Sequence, residues 1–169
     1  MGAMEPIIRP AIRSDLSALV RIYNHYIVNT PATFDTEPYS AKEREDWWSG
    51  FRGNGPHRLF VACWGDSVVG YASSSSFRPK TAYRSSVETT VYLDPDFTGR
   101  GIGRLLYETL FDALVGEALH RAYAGIALPN EASVALHRRL GFEHIGTFRE
   151  AGYKFGNYWD VAWYEKALG

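Results

Sequence analysis

Between Glu88 and Arg104 the chain reads Glu-Thr-Thr-Val-Tyr-Leu-Asp-Pro-Asp-Phe-Thr-Gly-Arg-Gly-Ile-Gly-Arg, and no other stretch constrains the fold as strongly. β-Branched and aromatic residues up to Leu93 call for a strand, and Asp94-Pro95 closes it. Gly99, Gly101 and Gly103 then open a helix. Glycine takes backbone angles closed to other residues, so successive N–H groups can converge on one anion in front of the positive helix end. A phosphate or pyrophosphate is the expected occupant. Glu88 and Tyr92 stand an even number of residues apart on the preceding strand, which points both side chains to one face.

Around this centre the chain alternates helical and extended patterns. Ser14 is placed to cap a helix with apolar positions Leu16, Leu19, Val20, Tyr23 and Ile27, which should end before Pro31. Ser40 and Glu43 form a Ser-x-x-Glu capping box ahead of Trp47, Trp48 and Phe51, with Gly53 as the stop. His57 to Trp64 and Val68 to Ser76 read as a hairpin joined at Gly65-Asp66, and Val87 to Leu93 as a third strand. The helix after the glycine loop carries Leu105, Leu106, Thr109, Leu110, Ala113 and Leu114. Ala122 to Leu128 is an expected strand, Asn130 to Leu140 a helix ended by Gly141, and Phe142 to Phe148 with Tyr158 to Glu165 the last strands. The alternation predicts an α/β layered fold.

Size and charge remove several classes of function. A chain of 169 residues supports one domain with a full core. Met1-Gly2-Ala3 ahead of Met4 reads as an added leader, so the expected domain runs from 4 to 169. A formal charge of -1 supplies no basic field for nucleic acid or an anionic membrane surface. Cys63 stands alone, which excludes an internal disulfide framework and fits a reducing cytoplasm. No apolar run approaches membrane-spanning length. The five histidines show no metal-ligand spacing with acidic residues, so no metal is expected.

Strand, glycine loop and helix together resemble the acetyl-CoA site of the GCN5-related N-acetyltransferase (GNAT) superfamily. Its loop pattern is Gln/Arg-x-x-Gly-x-Gly/Ala, and Thr98-Gly99-Arg100-Gly101-Ile102-Gly103 matches it except for Thr at the first position. A second motif of that superfamily, Asn at a helix start with Tyr seven residues on and Gly-Phe beyond, is met by Asn130, His137 and Gly141-Phe142, with His in place of Tyr. Asn24-His25-Tyr26, Phe34-Asp35-Thr36-Glu37-Pro38, Phe77-Arg78-Pro79, Ala82-Tyr83-Arg84, Val87-Glu88 and Gly152 to Asp160 resemble the phosphinothricin and methionine sulfoximine N-acetyltransferases. The resemblance implies a central mixed, mostly antiparallel sheet flanked by helices, acetyl-CoA as donor, a small amino-acid analogue as acceptor, and a homodimer.

Acetyl transfer needs a neutral amine, and an α-amino group with a pKa near ~8 is mostly protonated at neutral pH. Glu88, on the strand leading to the donor loop, is the candidate base, because a partly desolvated carboxylate has a raised pKa. Strand amides from Val91 to Leu93 are candidates for the thioester oxyanion, and Tyr92 for positioning. His137 or a water is placed to assist the leaving thiolate. Gly99 to Arg104, Asn130 and Ser133 are the expected donor contacts. Phe34, Phe77, Arg78, Pro79, Lys80, Tyr83, Arg84, Thr89 and Thr90 are the expected acceptor residues, with the arginines able to bind carboxylate or phosphinyl oxygens. Two alternatives stay open on sequence: an acetyltransferase for another amine, such as a protein N-terminus, a polyamine or an aminoglycoside, and a non-catalytic CoA-binding module.

Overall fold

The computed structural model describes residues 5–169; residues 1–3, read above as a leader, and the expected domain start at Met4 lie outside the described residues. Strands Ile7–Pro10 (β1), Leu59–Trp64 (β2), Ser67–Ser76 (β3), Ser86–Leu93 (β4), Arg121–Ala127 (β5), Glu143–Lys154 (β6) and Asn157–Ala167 (β7) pair in the order β1-β2-β3-β4-β5-β7-β6. Every pair is antiparallel except β4 with β5. The expected mixed, mostly antiparallel sheet is therefore present. β1 has too few residues to show alternation in sequence, and it is fixed by pairing Ile7–Pro10 with Phe60–Cys63.

β6 continues past the expected end at Phe148 because a bulge interrupts its pattern there. The register shifts between Phe148 and Gly152, Glu150 adopts φ +52°, and its N–H donates to Asp160 Oδ1 at 2.7 Å. Pairing then resumes to Lys154, which turns through Phe155-Gly156 into β7. A bulge bends its strand and sharpens the local twist.

Helices cover both faces. Leu16–Asn29 (α1) and the short Glu45–Ser49 (α2) lie on one side, where Leu19 and Ile22 pack with Leu59, Val61 and Tyr71. The predicted Ser14 cap is replaced: Asp15 accepts the Ile12 N–H at 2.8 Å and holds Arg9 at 2.7 and 2.9 Å, because a 3-10 turn over Arg13–Asp15 leads the helix in. The Ser40/Glu43 capping box forms, with Ser40 N–H and hydroxyl both 2.7 Å from Glu43 Oε2. Ile102–Leu114 (α3) and Glu131–Arg139 (α4) cover the other face.

α3 buries Ile102, Leu106, Tyr107, Leu110 and Leu114 against Val87, Ala122 and Ala124. Each fully buried aliphatic of this kind contributes roughly 1.5–3 kcal/mol. The helix is rotated from the predicted stripe: Leu105 faces out, 40% exposed, and Tyr107 takes an inward position. No helix among the described residues is long and apolar enough to cross a membrane.

Candidate active site

β4 and β5 pair only from Ser86 to Glu88, opposite Arg121 to Tyr123, and then part. On its other edge β4 stays paired with β3 through Leu93. The Asp94 N–H donates to Val69 O, which sets the phase of that ladder. Antiparallel pairing alternates bonded and non-bonded residues, so Thr90 and Tyr92 turn their backbone groups to β3, while those of Val91 and Leu93 face the opening toward β5. The interruption that a sequence cannot display is thus present at Val91 and Leu93.

The opening is a groove of about 740 Å³, walled by Thr89 to Leu93 on β4, Ala124 to Ala127 on β5, Gly99, Gly101 and Gly103 at one end, and α4. Gly99 and Gly101 hold φ of +71° and +78°, and a Cβ at either position would stand in open space. Those left-handed angles cost an L side chain about 1–2 kcal/mol, so glycine is required by conformation and not by crowding. Gly101 caps α3 without any side-chain bond, which leaves the first helical amides free. The cradle therefore fits the diphosphate of acetyl-CoA, with the groove leading from it toward Thr89.

The donor residues divide by how they serve this groove. Thr98, Gly99, Gly101, Gly103, Arg104, Asn130 and Ser133 line it. Ile102 is fully buried in the core and offers only its amide. Arg100 turns away: its guanidinium lies 5.0 Å from the Phe97 ring and 5.5 Å from the Trp64 ring and donates to Asp96 O at 3.1 Å. Asn130 also caps α4, its Oδ1 accepting the Ser133 N–H at 3.2 Å. Arg139 also lines the groove, and nothing in the sequence singled it out.

His137 is 3% exposed and has both ring nitrogens occupied. Nδ1 stands 2.7 Å from Ser133 O, a carbonyl that can only accept, so Nδ1 carries the proton. Nε2 then accepts from the Tyr107 hydroxyl at 3.1 Å. Burial lowers the imidazole pKa, with the Ser133 carbonyl opposing it. A neutral imidazole of this tautomer has no proton to offer from Nε2, so the arrangement does not support His137 as a direct donor to a thiolate. Its visible work is to hold Tyr107, a groove residue whose phenol pKa is itself raised by burial. Tyr107 went unnoticed because the predicted apolar stripe passed from Leu106 to Thr109 and left it out.

On the opposite face of β4 stand Glu88, Thr90 and Tyr92. Glu88 is half-buried at the fork where β4 and β5 part, and burial raises its carboxyl pKa while Arg78 pulls it back. It adjoins Thr89 in the groove wall without itself lining the groove. Tyr92 packs edge-on to Tyr23 at 5.2 Å and near Tyr26 at 5.0 Å, and burial pushes its pKa well up. Its phenol is therefore neutral at physiological pH. Thr90 shares a 2.9 Å hydroxyl contact with Ser73, and Thr89 reaches Tyr123 O at 3.4 Å where the ladder stops.

Phe77 stacks on Tyr123 at 4.3 Å and meets Trp163 and Tyr83 edge-on at 6.1 and 5.8 Å. The Arg78 guanidinium lies over Phe77 at 4.8 Å and toward Trp163 at 5.8 Å. Pro79, Lys80, Tyr83 and Arg84 are exposed. Phe34 comes from the far side and lies flat against Gly152. Among the described residues, no group of three or more His, Cys, Asp or Glu is arranged to hold a metal.

Residues 8–163 match the family model described as an acetyltransferase (GNAT) domain. A phosphinothricin N-acetyltransferase from Streptomyces coelicolor is 57% identical, with 99% of each chain covered. An L-methionine sulfoximine/L-methionine sulfone acetyltransferase from Pseudomonas paraeruginosa is 35% identical over 98% of this chain and 96% of its own. Among solved structures, a GNAT superfamily phosphinothricin acetyltransferase from Sinorhizobium meliloti in complex with AcCoA superposes with a TM-score of 0.92 at 35% identity, covering 97% of this chain and 89% of the other. With the glycine cradle and the forked sheet in place, these likenesses mean that the chain belongs to the GNAT acetyltransferases and is an N-acetyltransferase that uses acetyl-CoA as its donor.

Proposed function

We propose that the protein acetylates the α-amino group of a small amino-acid analogue of the phosphinothricin or methionine sulfoximine/sulfone type, by direct transfer from acetyl-CoA. The observation that carries this is the half-buried Glu88 at the fork of β4 and β5, with Arg78 held over Phe77 on the segment that leads into β4. A carboxylate with a raised pKa can take the ammonium proton, and the neighbouring guanidinium can bind an acceptor oxyanion. The freed amine nitrogen attacks the thioester carbon, the amides of Val91 and Leu93 stabilise the oxyanion, and the C–S bond breaks to release the thiolate. The second proton, lost by the nitrogen as the amide forms, passes through water to the sulfur, since His137 Nε2 is an acceptor. Gly99, Gly101 and the first amides of α3 hold the diphosphate, with Arg104 and Arg139 at the groove.

Cationic acceptors such as polyamines would meet Arg78, Lys80 and Arg84, which disfavours them. The reading takes residues 4–169 as one domain, in keeping with a sheet that runs from β1 to β7. It further takes the working unit as a cytoplasmic homodimer. Phe148, Tyr153, Phe155 and Tyr158 are more than half exposed on the β6–β7 hairpin at the end of the sheet, an apolar surface suited to a second copy. Light scattering at micromolar concentration checks that state.

Free-CoA release measured with phosphinothricin, methionine sulfoximine, methionine sulfone and natural amino acids tests the activity through kcat/KM. Intersecting initial-rate patterns are expected. A ping-pong pattern with an isolable acetyl-enzyme would overturn direct transfer, and acetyl-CoA binding without turnover of any amine would leave only a binding module.

A further inference from the structure

Lys154 is 4% exposed and lies 121 and 124 residues from the groups it binds. Its Nζ donates to Thr33 O at 2.7 Å and to Thr30 O at 2.9 Å. A buried ammonium is retained only where acceptors replace its water, and here two main-chain carbonyls of one loop do so. Burial lowers its pKa and Asp35, in the same loop, opposes that.

The loop from Thr30 to Asp35 joins both halves of the site. Ala32 lines the donor groove. The Tyr23 hydroxyl lies 2.7 Å from Thr33 Oγ1 and donates to Asp35 at 2.5 Å, and the same Tyr23 ring packs on Tyr92. Phe34 covers Gly152, two residues before Lys154, where any Cβ would collide with the ring. Besides the Tyr23 contacts and the bonds from Thr30 to Tyr26 O, the loop's own ties among the described residues are local: Ala32 N–H to Thr30 Oγ1 at 3.2 Å and Asp35 N–H to Thr33 Oγ1 at 3.3 Å. Neutral local contacts hold a loop weakly; the charge-assisted bonds are Tyr23 to Asp35 at one end and Lys154 to Thr30 and Thr33, and only the Lys154 pair comes from a distant strand. The bulge at Glu150 and the Asp160 carboxylate that closes it turn the hairpin end toward that loop.

We propose that Lys154 is a positioning residue for acetyl transfer: from the end of the bulged hairpin its ammonium latches the Thr30–Asp35 loop in place as the wall of the acceptor pocket, so that it sets acceptor binding without touching the reacting atoms. This rests on the acceptor assignment above.

The test is Lys154→Met against Lys154→Arg in the full chain, read by hydrogen exchange of amides 30–36 and by separate KM values for acceptor and acetyl-CoA. Lys154→Met should speed that exchange about tenfold and raise the acceptor KM by about the same factor, with kcat and the acetyl-CoA KM within about twofold. Lys154→Arg, which keeps a cationic donor, should recover much of both. Should Lys154→Met not fold, Lys154→Gln retains an N–H donor and takes its place with the same readouts. Unchanged exchange over 30–36 overturns the latch, and so does an equal rise in both KM values. If the unaltered protein turns over none of the analogues, the acceptor assignment falls, and exchange still decides whether the latch exists.

Discussion

The two halves of the active site are built by different means. The proposed donor half centres on a continuous piece of chain, Thr98 to Arg104, whose candidate binding groups are backbone amides, with β4, β5 and α4 walling the groove beside it. The acceptor half, as we propose it, is gathered from the loop after α1, the segment from Phe77 to Arg84, Glu88 on β4, Tyr123 on β5, Gly152 and Lys154 on β6, and Trp163 on β7. Backbone amides are fixed by local conformation, so the donor half depends on a few glycine angles and tolerates changes in side chain. Side chains from six elements meet only if the sheet and its bulge are right, so the acceptor half is sensitive to distant changes.

The largest effect should come from Glu88, where the two halves meet. Glu88→Gln is expected to reduce kcat/KM by about 100-fold or more, the scale of a lost general base, with acetyl-CoA affinity unchanged by calorimetry. Stability should not follow activity. Burial raises the Glu88 pKa, so its protonated form suits the fold, and the contribution it makes is lost as pH rises through the folded pKa. At pH 7.5 the glutamine variant should melt no lower than the parent. Full activity across pH would remove the base assignment, and a fall in Tm would mark Glu88 as structural.

Gly101→Val should break the donor half alone. Its φ of +78° costs a side chain about 1–2 kcal/mol, and more if β-branched, so the acetyl-CoA KM should rise about tenfold or more while the acceptor KM holds. Equal loss on both sides would show that the halves are not separable.

Arg78→Met sharpens the acceptor half. It removes the cation that holds the Glu88 pKa down, so the acidic limb of the pH profile of kcat/KM should move to higher pH, and the acceptor KM should rise several-fold. A limb that stays in place would detach Arg78 from Glu88.

The smallest effect belongs to Trp163. Its indole Nε1 is buried without a hydrogen-bond partner among the described residues, and its ring lies against Gly125. Trp163→Phe keeps an aromatic ring beside Phe77 and discards the orphan donor, so stability should change by no more than about 0.5 kcal/mol or rise. A loss above about 2 kcal/mol would mean that the indole fills space phenylalanine cannot.

Legibility in the sequence follows the same division. The glycine cradle, the Ser40/Glu43 box, the Gly65-Asp66 hairpin and the helix from Asn130 were all readable, because each depends on residues a few positions apart. Errors arose where tertiary contact chose among local options. α3 turned to bury Tyr107 and expose Leu105, although both fit a helical stripe. Arg100 stands between two glycines of the cradle, yet it stacks on Phe97 and Trp64. His137 matched a motif position for an acid, and only its contacts with the Ser133 carbonyl and the Tyr107 hydroxyl show it to be a neutral acceptor at Nε2.

Sequence alone determined the layered α/β fold, the donor cradle and the candidate Glu88, since glycine angles, alternation and capping are properties of neighbouring residues. Tertiary structure alone decided where β4 parts from β5, which amides of β4 are left free, and which loop Lys154 holds. Those outcomes turn on strand register, helix rotation and the burial of charge, and each is an energy shared between segments up to 124 residues apart.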